Sequence, residues 1–256
     1  MSLPADQERL VALDFDAFRE LALRDEISEH ERVGFPAAYR EGRESAILED
    51  IAAKLPALRE GYDGPGATVI DIGCGCGPLA EAIQRRCASA GHELVLVDSA
   101  EMLARNLDAA RLVKVAGRFP DCDASLARWR GGAVAVLVYS VIQYAFPSPG
   151  VFGFVDAACK LLAPGGRLLV GDIPNASMRR RFLASDTGAD YHRHYTGGHA
   201  SPSVSFNAPV GDEPDDAVTF ALASRARAAG LHGWIVPQDP SLPMANRRED
   251  LLIERP

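Results

Sequence analysis

Residues 69–78 constrain the fold of this chain more than any other part of the sequence. Residues 69–72 form a short apolar run interrupted by Asp71, three glycines follow at alternate positions, and Pro78 opens a helical pattern that runs to about residue 87. This order predicts a strand, a tight turn and a helix N-terminus. Glycine allows a ligand to approach bare backbone, and the unpaired N–H groups of a first helical turn suit a carboxylate or phosphate. The corner is therefore predicted to hold an anionic group of a ligand.

The spacing of the glycines separates two kinds of nucleotide site. A dinucleotide fold needs G-x-G-x-x-G, and counting from Gly73 its third glycine falls on Pro78. The sequence instead reads Asp-x-Gly-x-Gly-x-Gly from Asp71, which resembles the first motif of the class I S-adenosylmethionine-dependent methyltransferases. The resemblance implies that the loop holds the methionine end of the cofactor, near Asp71. The loop residues concerned are Gly73, Cys74, Gly75 and Gly77. An ordinary glycine turn is the alternative.

The next predicted strand carries an acid in register with this loop. Residues 93–97 are a buried-strand candidate, Asp98 and Ser99 follow, and residues 100–110 predict a helix. An acid at the end of a second strand can accept hydrogen bonds from both hydroxyls of a ribose. The alternative is that Asp98 or Ser99 only caps the following helix. The segment also resembles the family's second motif, which implies that Met102 packs against the adenine.

A third strand is predicted over residues 112–116, followed by Gly117, Arg118 and Phe119. The resemblance implies that these residues border the adenine. Many family members place an acid or amide just after this strand to bond the adenine amino group, and Arg118 stands in that place here. Either Asp121 or a backbone carbonyl is expected to serve instead.

The rest of the core follows the same pattern. Residues 133–138 are continuously apolar, which suits a central parallel strand buried on both faces. The resemblance implies that Tyr139, Ser140 and Tyr144, which come next, lie beside the transferred methyl group. Further elements are predicted at 152–162 (helix), 167–172 (fifth strand), 217–229 (helix), and 233–237 with 249–255 (closing hairpin). The predicted fold is α/β, a Rossmann-like, seven-stranded, mostly parallel sheet with an antiparallel last strand and an N-terminal helical cap.

Residues 1–62 are predicted to form this cap, and residues 63–256 the methyltransferase core. The cap is predicted to be mostly helical from residue 5 to about 58, with a second helix over 42–58. Between its helices, Phe35, Tyr39 and Arg40 are candidates for a lid, with Arg40 pairing the carboxylate of the cofactor. The alternative is that these residues only fasten a helix to the core.

An insert at about 175–216 has the composition of a loop but carries aromatic, histidine and arginine residues, so it is predicted to form the acceptor pocket. His192 and His194 alternate and would share one side of an extended segment. Either is a candidate general base, oriented by Asp172 at the end of the fifth strand. A metal site at His192, His194 and His199 is not expected. Residues 179–181, all arginine, either bind an acidic acceptor or form a solvated helix face.

Composition narrows the functional class. The chain has 256 residues and a net charge of −8, which argues against general affinity for nucleic acid. No long uncharged apolar run is present, and the first residues do not resemble a secretory leader, so a cytoplasmic protein without a membrane span is expected. The five cysteines are scattered and odd in number, which is typical of reduced thiols. Cys74 and Cys76 are interpreted as small residues packed under the cofactor.

The resemblance implies a methyltransferase that uses S-adenosylmethionine, and together with the composition it predicts a small-molecule acceptor, by O- or N-methylation. Residues 171–175 and 243–252 resemble methyltransferases of bacterial surface-sugar biosynthesis, so a sugar or surface-glycan precursor is one candidate acceptor. A non-catalytic S-adenosylmethionine-binding partner subunit and an NAD-dependent Rossmann oxidoreductase are the alternatives. The oligomeric state does not follow from the sequence.

Overall fold

The structure, a computed structural model, describes residues 13–62, 64, 66–146, 150–208, 211 and 213–256. Its centre is a seven-stranded sheet in the order β3-β2-β1-β4-β5-β7-β6. Strands β1 to β5 pair in parallel, and β7 is antiparallel to both of its neighbours, β5 and β6. The predicted fold class is therefore confirmed. The strands are β1 Thr68–Ile72, β2 Glu93–Asp98, β3 Leu112–Ala116, β4 Ala133–Tyr139, β5 Leu162–Pro174, β6 His232–Pro237 and β7 Arg248–Glu254.

Helices cover both faces of this sheet. In the described ranges they are α1 Phe15–Ala22, α2 Glu29–Arg32, α3 Ala37–Arg40, α4 Glu44–Lys54, α5 Pro78–Ser89, α6 Ala100–Arg105, α7 Ile142–Ala145, α8 Val151–Cys159, α9 Ala176–Leu183, α10 Asp186–Thr196 and α11 Asp216–Ala228. Short 3₁₀ helices occupy Pro56–Leu58 and Asp123–Trp129. Over the described part of the chain, no helix has the length and apolar character needed to cross a membrane.

The middle of the sheet is fully enclosed because helices lie on both sides of it. Val136, Leu137 and Val138 of β4 are completely buried, as the continuous apolar run predicted. On one face, Ile47 and Ile51 of α4 share a core with the inner residues of α5 and β2. The last helix of the N-terminal segment is thus part of the main core, while the division of the chain at residue 62 stays a proposal.

Two predicted helices end earlier than expected. The helix predicted over 42–58 stops at Lys54 because Leu55 precedes a proline and is extended, with φ −112° and ψ 90°. The helix predicted over 100–110 stops at Arg105, where Asn106 leaves helical geometry. The Asn106 side chain then donates to the carbonyls of Met102 and Gly75, at 3.0 and 2.9 Å. The early stop therefore ties α6 to the glycine loop.

The prediction that the 175–216 insert lacks regular structure is wrong. Two polar residues of the insert are helix caps: Asn175 accepts from the Met178 N–H and begins α9, and Ser185 accepts from the Gly188 N–H and begins α10. Gly197, with φ +64°, ends α10. The first half of the insert is consequently a pair of helices, α9 and α10.

Candidate functional site

A cavity of about 630 Å³ opens at the carboxyl edge of the parallel strands. This is where open α/β sheets bind ligands, and the volume is typical of a small-molecule site. The ends of β1, β2 and β4 form its floor, and residues of the N-terminal segment form its roof. Of the predicted cofactor residues, the following line it: Arg40, Asp71, Gly73, Cys74, Gly75, Gly77, Asp98, Met102, Gly117, Arg118, Phe119, Tyr139, Ser140 and Tyr144.

The glycine loop needs glycine for both conformation and space. Gly73 and Gly75 have φ of +72° and +62°, which other residues adopt only with strain. A Cβ on Gly73 would lie 2.5 Å from Val141 beyond β4, and one on Gly75 would lie 2.8 Å from Val33 of the roof. The bare backbone of the loop is thus enclosed from two sides.

The helix that follows the loop presents its positive end to the cavity. Gly77 is the N-cap of α5 and forms no side-chain capping bond, and Pro78 occupies the first turn. Gly77, Pro78, Leu79 and Ala80 all line the cavity. The N–H groups of a first helical turn and the helix dipole favour an anion. This corner fits the carboxylate of an amino-acid ligand.

Asp98 ends β2 beside the glycine loop. Its Oδ2 accepts from the Gly75 N–H at 2.8 Å and its Oδ1 from the Ser99 N–H at 2.7 Å. Burial raises the pKa of Asp98, against the opposing effect of these two donors. Because a carboxylate has about four acceptor positions, lone pairs remain for a diol in the cavity. Of the two residues considered as caps of the following helix, Ser99 is the cap: its hydroxyl accepts from the Met102 N–H at the start of α6.

Asp71 is a second buried acid at the same edge. Its residue is 3 % exposed, and no hydrogen bond to its carboxyl group is found among the described residues. Burial, and next the charge of Asp98, raise the pKa of Asp71 to about 7. An acid without a partner in such a place is poised to receive a cation from the cavity.

The cavity wall that includes Met102 and Phe119 is apolar and holds one hydrogen-bond acceptor without a partner. Met102 is 2 % exposed, and Phe119 packs edge-on against Phe154 with ring centroids 4.9 Å apart. Arg118 and Asp121 are exposed at the rim. Asp123, which the sequence analysis missed, lines the cavity and bonds Arg130 through Oδ2, while its Oδ1 is buried without a hydrogen-bond partner. Nothing in the sequence distinguishes Asp123 from its neighbours, because its position depends on the 3₁₀ helix it begins.

The ends of β4 and β5 hold two strained residues. Ser140 and Asp172 both have φ of +60°, a conformation that persists at functional sites when the surroundings enforce it. The Ser140 hydroxyl donates to Asp172 Oδ2 at 2.5 Å. Arg40 donates to both residues, to Ser140 Oγ at 2.5 Å and to Asp172 Oδ2 at 3.2 Å, and stacks on Phe35 at 3.9 Å from the ring centroid. Arg40 therefore connects the roof to the sheet.

The predicted orientation of a histidine by Asp172 is wrong. Arg248 donates to Asp172 Oδ2 at 2.7 Å, and Arg40 and Ser140 donate to the same oxygen. These three donors occupy its acceptor positions. Gln238 approaches the other oxygen at 3.4 Å. None of these partners is a histidine. The Arg40 guanidinium already donates to Ser140 and Asp172 within the protein. The pairing of Arg40 with a cofactor carboxylate stays a prediction.

His192 and His194 do not share one side, because they lie on α10 and not on an extended segment. Residues two apart on a helix point in nearly opposite directions. Neither histidine lines the cavity, and His194 is exposed. Tyr39 faces the same helix, where it hydrogen bonds to Tyr195. Their predicted catalytic role has no support in this geometry.

A different histidine lines the cavity. His30 of α2 and Glu44 of α4 form a pair, with Nε2 and Oε1 2.6 Å apart, and both belong to the roof. Phe18 and Tyr144, which also line the cavity, pack edge-on at 4.8 Å between ring centroids. Sequence reasoning missed this pair because its members are 14 residues apart and on different helices.

The cysteines behave as packed thiols. All five are free, and burial raises the pKa of the Cys74 thiol well above its usual value. Among the described residues, no group of three or more His, Cys, Asp or Glu side chains could hold a metal ion.

Comparisons with known proteins agree with this fold. No family model matches the chain. It is 33 % identical over 132 residues to the ubiquinone biosynthesis O-methyltransferase of Xylella fastidiosa (strain 9a5c), covering 49 % of each chain. It is 29 % identical over 192 residues to the arginine N(omega)-methyltransferase of Streptomyces achromogenes subsp. streptozoticus, covering 73 % of this chain and 48 % of that one. The chain thus spans about half the length of the curated relatives it matches.

A solved structure with a similar fold is the plantazolicin methyltransferase BpumL in complex with SAH. The TM-score is 0.56 and the identity 13 %, with 99 % of this chain and 100 % of the other covered. At this identity the likeness shows the fold alone. The chain shares this fold, and the residues of its glycine loop and second strand resemble those of the class I S-adenosylmethionine-dependent methyltransferases.

Proposed function

We propose that this chain binds S-adenosylmethionine and transfers its methyl group to a small-molecule acceptor. One observation carries the proposal: Asp71 and Asp98, two acids whose pKa values burial raises, flank a bare glycine loop and an uncapped helix N-terminus in one cavity. A ligand for this corner needs a carboxylate, a cationic group and a diol. The amino-acid and ribose parts of S-adenosylmethionine provide all three.

Each part of the cofactor has a matching part of the site. The loop backbone and the N-terminus of α5 would hold the carboxylate, Asp71 the ammonium group and Asp98 the ribose hydroxyls. Met102 and Phe119 would enclose the adenine, and the unpartnered Asp123 Oδ1 is a candidate acceptor for its amino group. When bound, S-adenosylmethionine supplies an electrophilic methyl group on a positively charged sulfur. The buried carboxylates favour that charge in a site of low dielectric.

Tyr139, Ser140 and Tyr144 lie on the side of the cavity that continues toward the roof. This side is the proposed acceptor chamber, where the protein would hold the acceptor in line with the methyl group. The relatives are named as an O- and an N-methyltransferase, so either kind of acceptor atom is compatible with the fold. A sugar or surface-glycan precursor stays a candidate acceptor on the resemblance of residues 171–175 and 243–252.

Two alternatives are less well supported. An NAD-dependent oxidoreductase would need a third glycine where Pro78 stands. A non-catalytic S-adenosylmethionine-binding subunit would have the same loop but would not need further polar groups in the cavity, which Arg40, His30 and Glu44 also line.

Calorimetry with S-adenosylhomocysteine, the demethylated product, tests the proposal. Asp98→Asn places an amide against the Gly75 N–H and removes the charge that would bind the ribose, so affinity should fall roughly 100-fold, as expected for two hydrogen bonds to a charged group. The matched control is Asp108→Asn, since the Asp108 side chain is 94 % exposed, and it should leave affinity unchanged. Absence of any binding by the well-folded wild-type protein would refute the proposal, and a thermal shift with NAD instead would favour the oxidoreductase.

A further inference from the structure

The pair formed by His30 and Glu44 is the part of the cavity wall that the proposed cofactor site does not use. The side chains are 14 % and 15 % exposed, and both line the cavity. They come from α2 and α4, and Ser28 fixes the start of α2 through a reciprocal cap with Glu31. The histidine is thus held on an ordered turn of the roof.

Glu44 determines which nitrogen of His30 can take a proton. Burial opposes the charge of Glu44, but the hydrogen bond with His30, a backbone N–H and the charges of His30 and Arg40 together lower its pKa. If the neutral His30 ring donates its Nε2 proton to the ionised Glu44, its lone pair is on Nδ1. The hydrogen bonds among the described residues leave Nδ1 without a partner. This is the arrangement of a general base and the carboxylate that orients it.

The surroundings of the pair select a ring-shaped acceptor. Phe15, Phe18, Phe35 and Tyr144 also line the cavity, and the Phe35 N–H bonds the His30 carbonyl at 2.9 Å. Aromatic rings pack well on the flat apolar face of another ring. Arg40, from α3, and Asp14, before α1, are further charged groups that line the cavity, with Tyr144 as another titratable group. Glu29 and Glu31 flank His30 on its own helix, and Asp71 and Asp98 lie at the cofactor end.

We propose that His30 is a catalytic residue that accepts the proton of a hydroxyl group on a ring-shaped small molecule. The proposal rests on the methyltransferase function proposed above. As the hydroxyl oxygen bonds to the methyl carbon, the carbon–sulfur bond of the sulfonium breaks and its electron pair stays on sulfur. The hydroxyl proton moves to Nδ1 of His30. A thioether, a methyl ether and an imidazolium stabilised by Glu44 result, so charge and atoms balance.

The hydroxyl-bearing ring has two chemical sources, a phenol or a sugar. Purified protein with methyl-labelled S-adenosylmethionine is therefore tested against catechol, methyl β-D-glucopyranoside and L-arginine in separate reactions. Labelled methyl ether from either of the first two supports the proposal and distinguishes the sources. Methylation of L-arginine alone, or of none of the three by protein that binds S-adenosylhomocysteine, overturns it. Failure to bind S-adenosylhomocysteine would instead reject the methyltransferase function itself.

Variants then test the proton transfer. His30→Ala should lower turnover at neutral pH by about 100-fold or more, the usual contribution of a general base, and the loss should shrink at high pH, where the acceptor ionises unaided. Glu44→Gln, of the same shape, should lower turnover less and shift the pH profile. Both should bind S-adenosylhomocysteine like the wild type. The control is His232→Ala, since His232 is exposed on the edge strand β6. Turnover of His30→Ala within threefold of the wild type refutes the role.

Nitrogen-15 spectra of the histidine rings give a readout that does not depend on turnover. The His30 signals, assigned by their absence in His30→Ala, should show the tautomer protonated at Nε2. They should change tautomer population in Glu44→Gln and shift when the ring-shaped acceptor that is methylated binds together with S-adenosylhomocysteine. His30 signals that are unaffected by Glu44→Gln and by binding of the acceptor would show that the role of His30 is structural.

Discussion

Replacing Asp71 by Asn tests the electrostatics of the cofactor site, since this acid is buried at 3 % exposure without a hydrogen-bond partner among the described residues. Burial first, and then the charge of Asp98, raise its pKa from 3.8 to about 7. A pKa that stands about three above its usual value corresponds to roughly 4 kcal/mol against the ionised form. The folded protein therefore holds the Asp71 proton more tightly than the unfolded chain does.

The consequence for stability has a definite direction. The stability linked to this proton is complete below about pH 4 and is lost as pH rises through 7. Asp71→Asn carries no charge at any pH, so it should be more stable than the wild type at pH 8, by up to roughly 4 kcal/mol, and similar to it at pH 4. Urea denaturation at the two pH values measures this difference. Equal pH dependence in both proteins would contradict the assigned pKa.

Ligand binding should reverse the protonation. At pH 6 about nine-tenths of Asp71 is protonated if its pKa is near 7, and an ammonium group beside the carboxylate favours the charged form. Binding of S-adenosylhomocysteine at pH 6 should therefore release close to one proton. Calorimetry in buffers of different ionisation enthalpy counts these protons. Asp71→Asn should bind more weakly and release almost none. The coupling is refuted if the wild type releases no proton, or if the variant releases as many.

Three further predictions concern the scaffold of the site. Gly73→Ala should lower the free energy of unfolding by roughly 2–5 kcal/mol, because Gly73 has a positive φ and an added Cβ would clash with Val141. Adding Val141→Ala should restore only the part of this free energy that the clash removes; full restoration would argue against backbone strain. Lys54→Met should cost roughly 3–5 kcal/mol in urea denaturation, because Lys54 bridges buried carboxylates including that of Asp250 at 2.7 Å; a neutral effect would contradict that bridge. Arg40→Ala should lower the melting temperature, because the Arg40 guanidinium donates to Ser140 and Asp172; an unchanged melting temperature would contradict the contribution of these bonds, and a tenfold loss of affinity for S-adenosylhomocysteine would support the predicted pairing with the cofactor carboxylate.

The part of the site that the sequence predicts well is continuous along the chain. β1, the glycine loop and α5 follow one another, and Asp98 lies one strand further on, so local rules for glycine, apolar runs and helix starts suffice. The sequence of the insert does not reveal its two helices, α9 and α10, for a related reason. Asn175 and Ser185 favour loops and helix caps equally, and only the tertiary structure shows that they begin helices.

Local sequence rules do not predict the part of the site around Arg40, because its contacts join distant parts of the chain. Arg40 meets Ser140 and Asp172 across 100 and 132 residues. Ser140 directly follows β4, and Asp172 lies where the register of β5 with β7 shifts between Val170 and Ile173. Neither residue type signals a positive φ in the sequence. The composition of the insert points to His192 and His194, whereas among the described residues His30, a single histidine in a short helix, lines the cavity.

The roof links the two halves of the site through one short segment. Val33 fills the space above Gly75 and Gly77, and His30, three residues earlier, also lines the cavity. Any ligand that stabilises the glycine loop therefore also stabilises the segment that carries the proposed base, since both belong to one set of contacts. The sheet and loop fix where a methyl donor would lie, while the roof supplies the groups that meet the acceptor. Changes in the roof can thus alter the acceptor without altering the loop, which is how one fold supports different substrates.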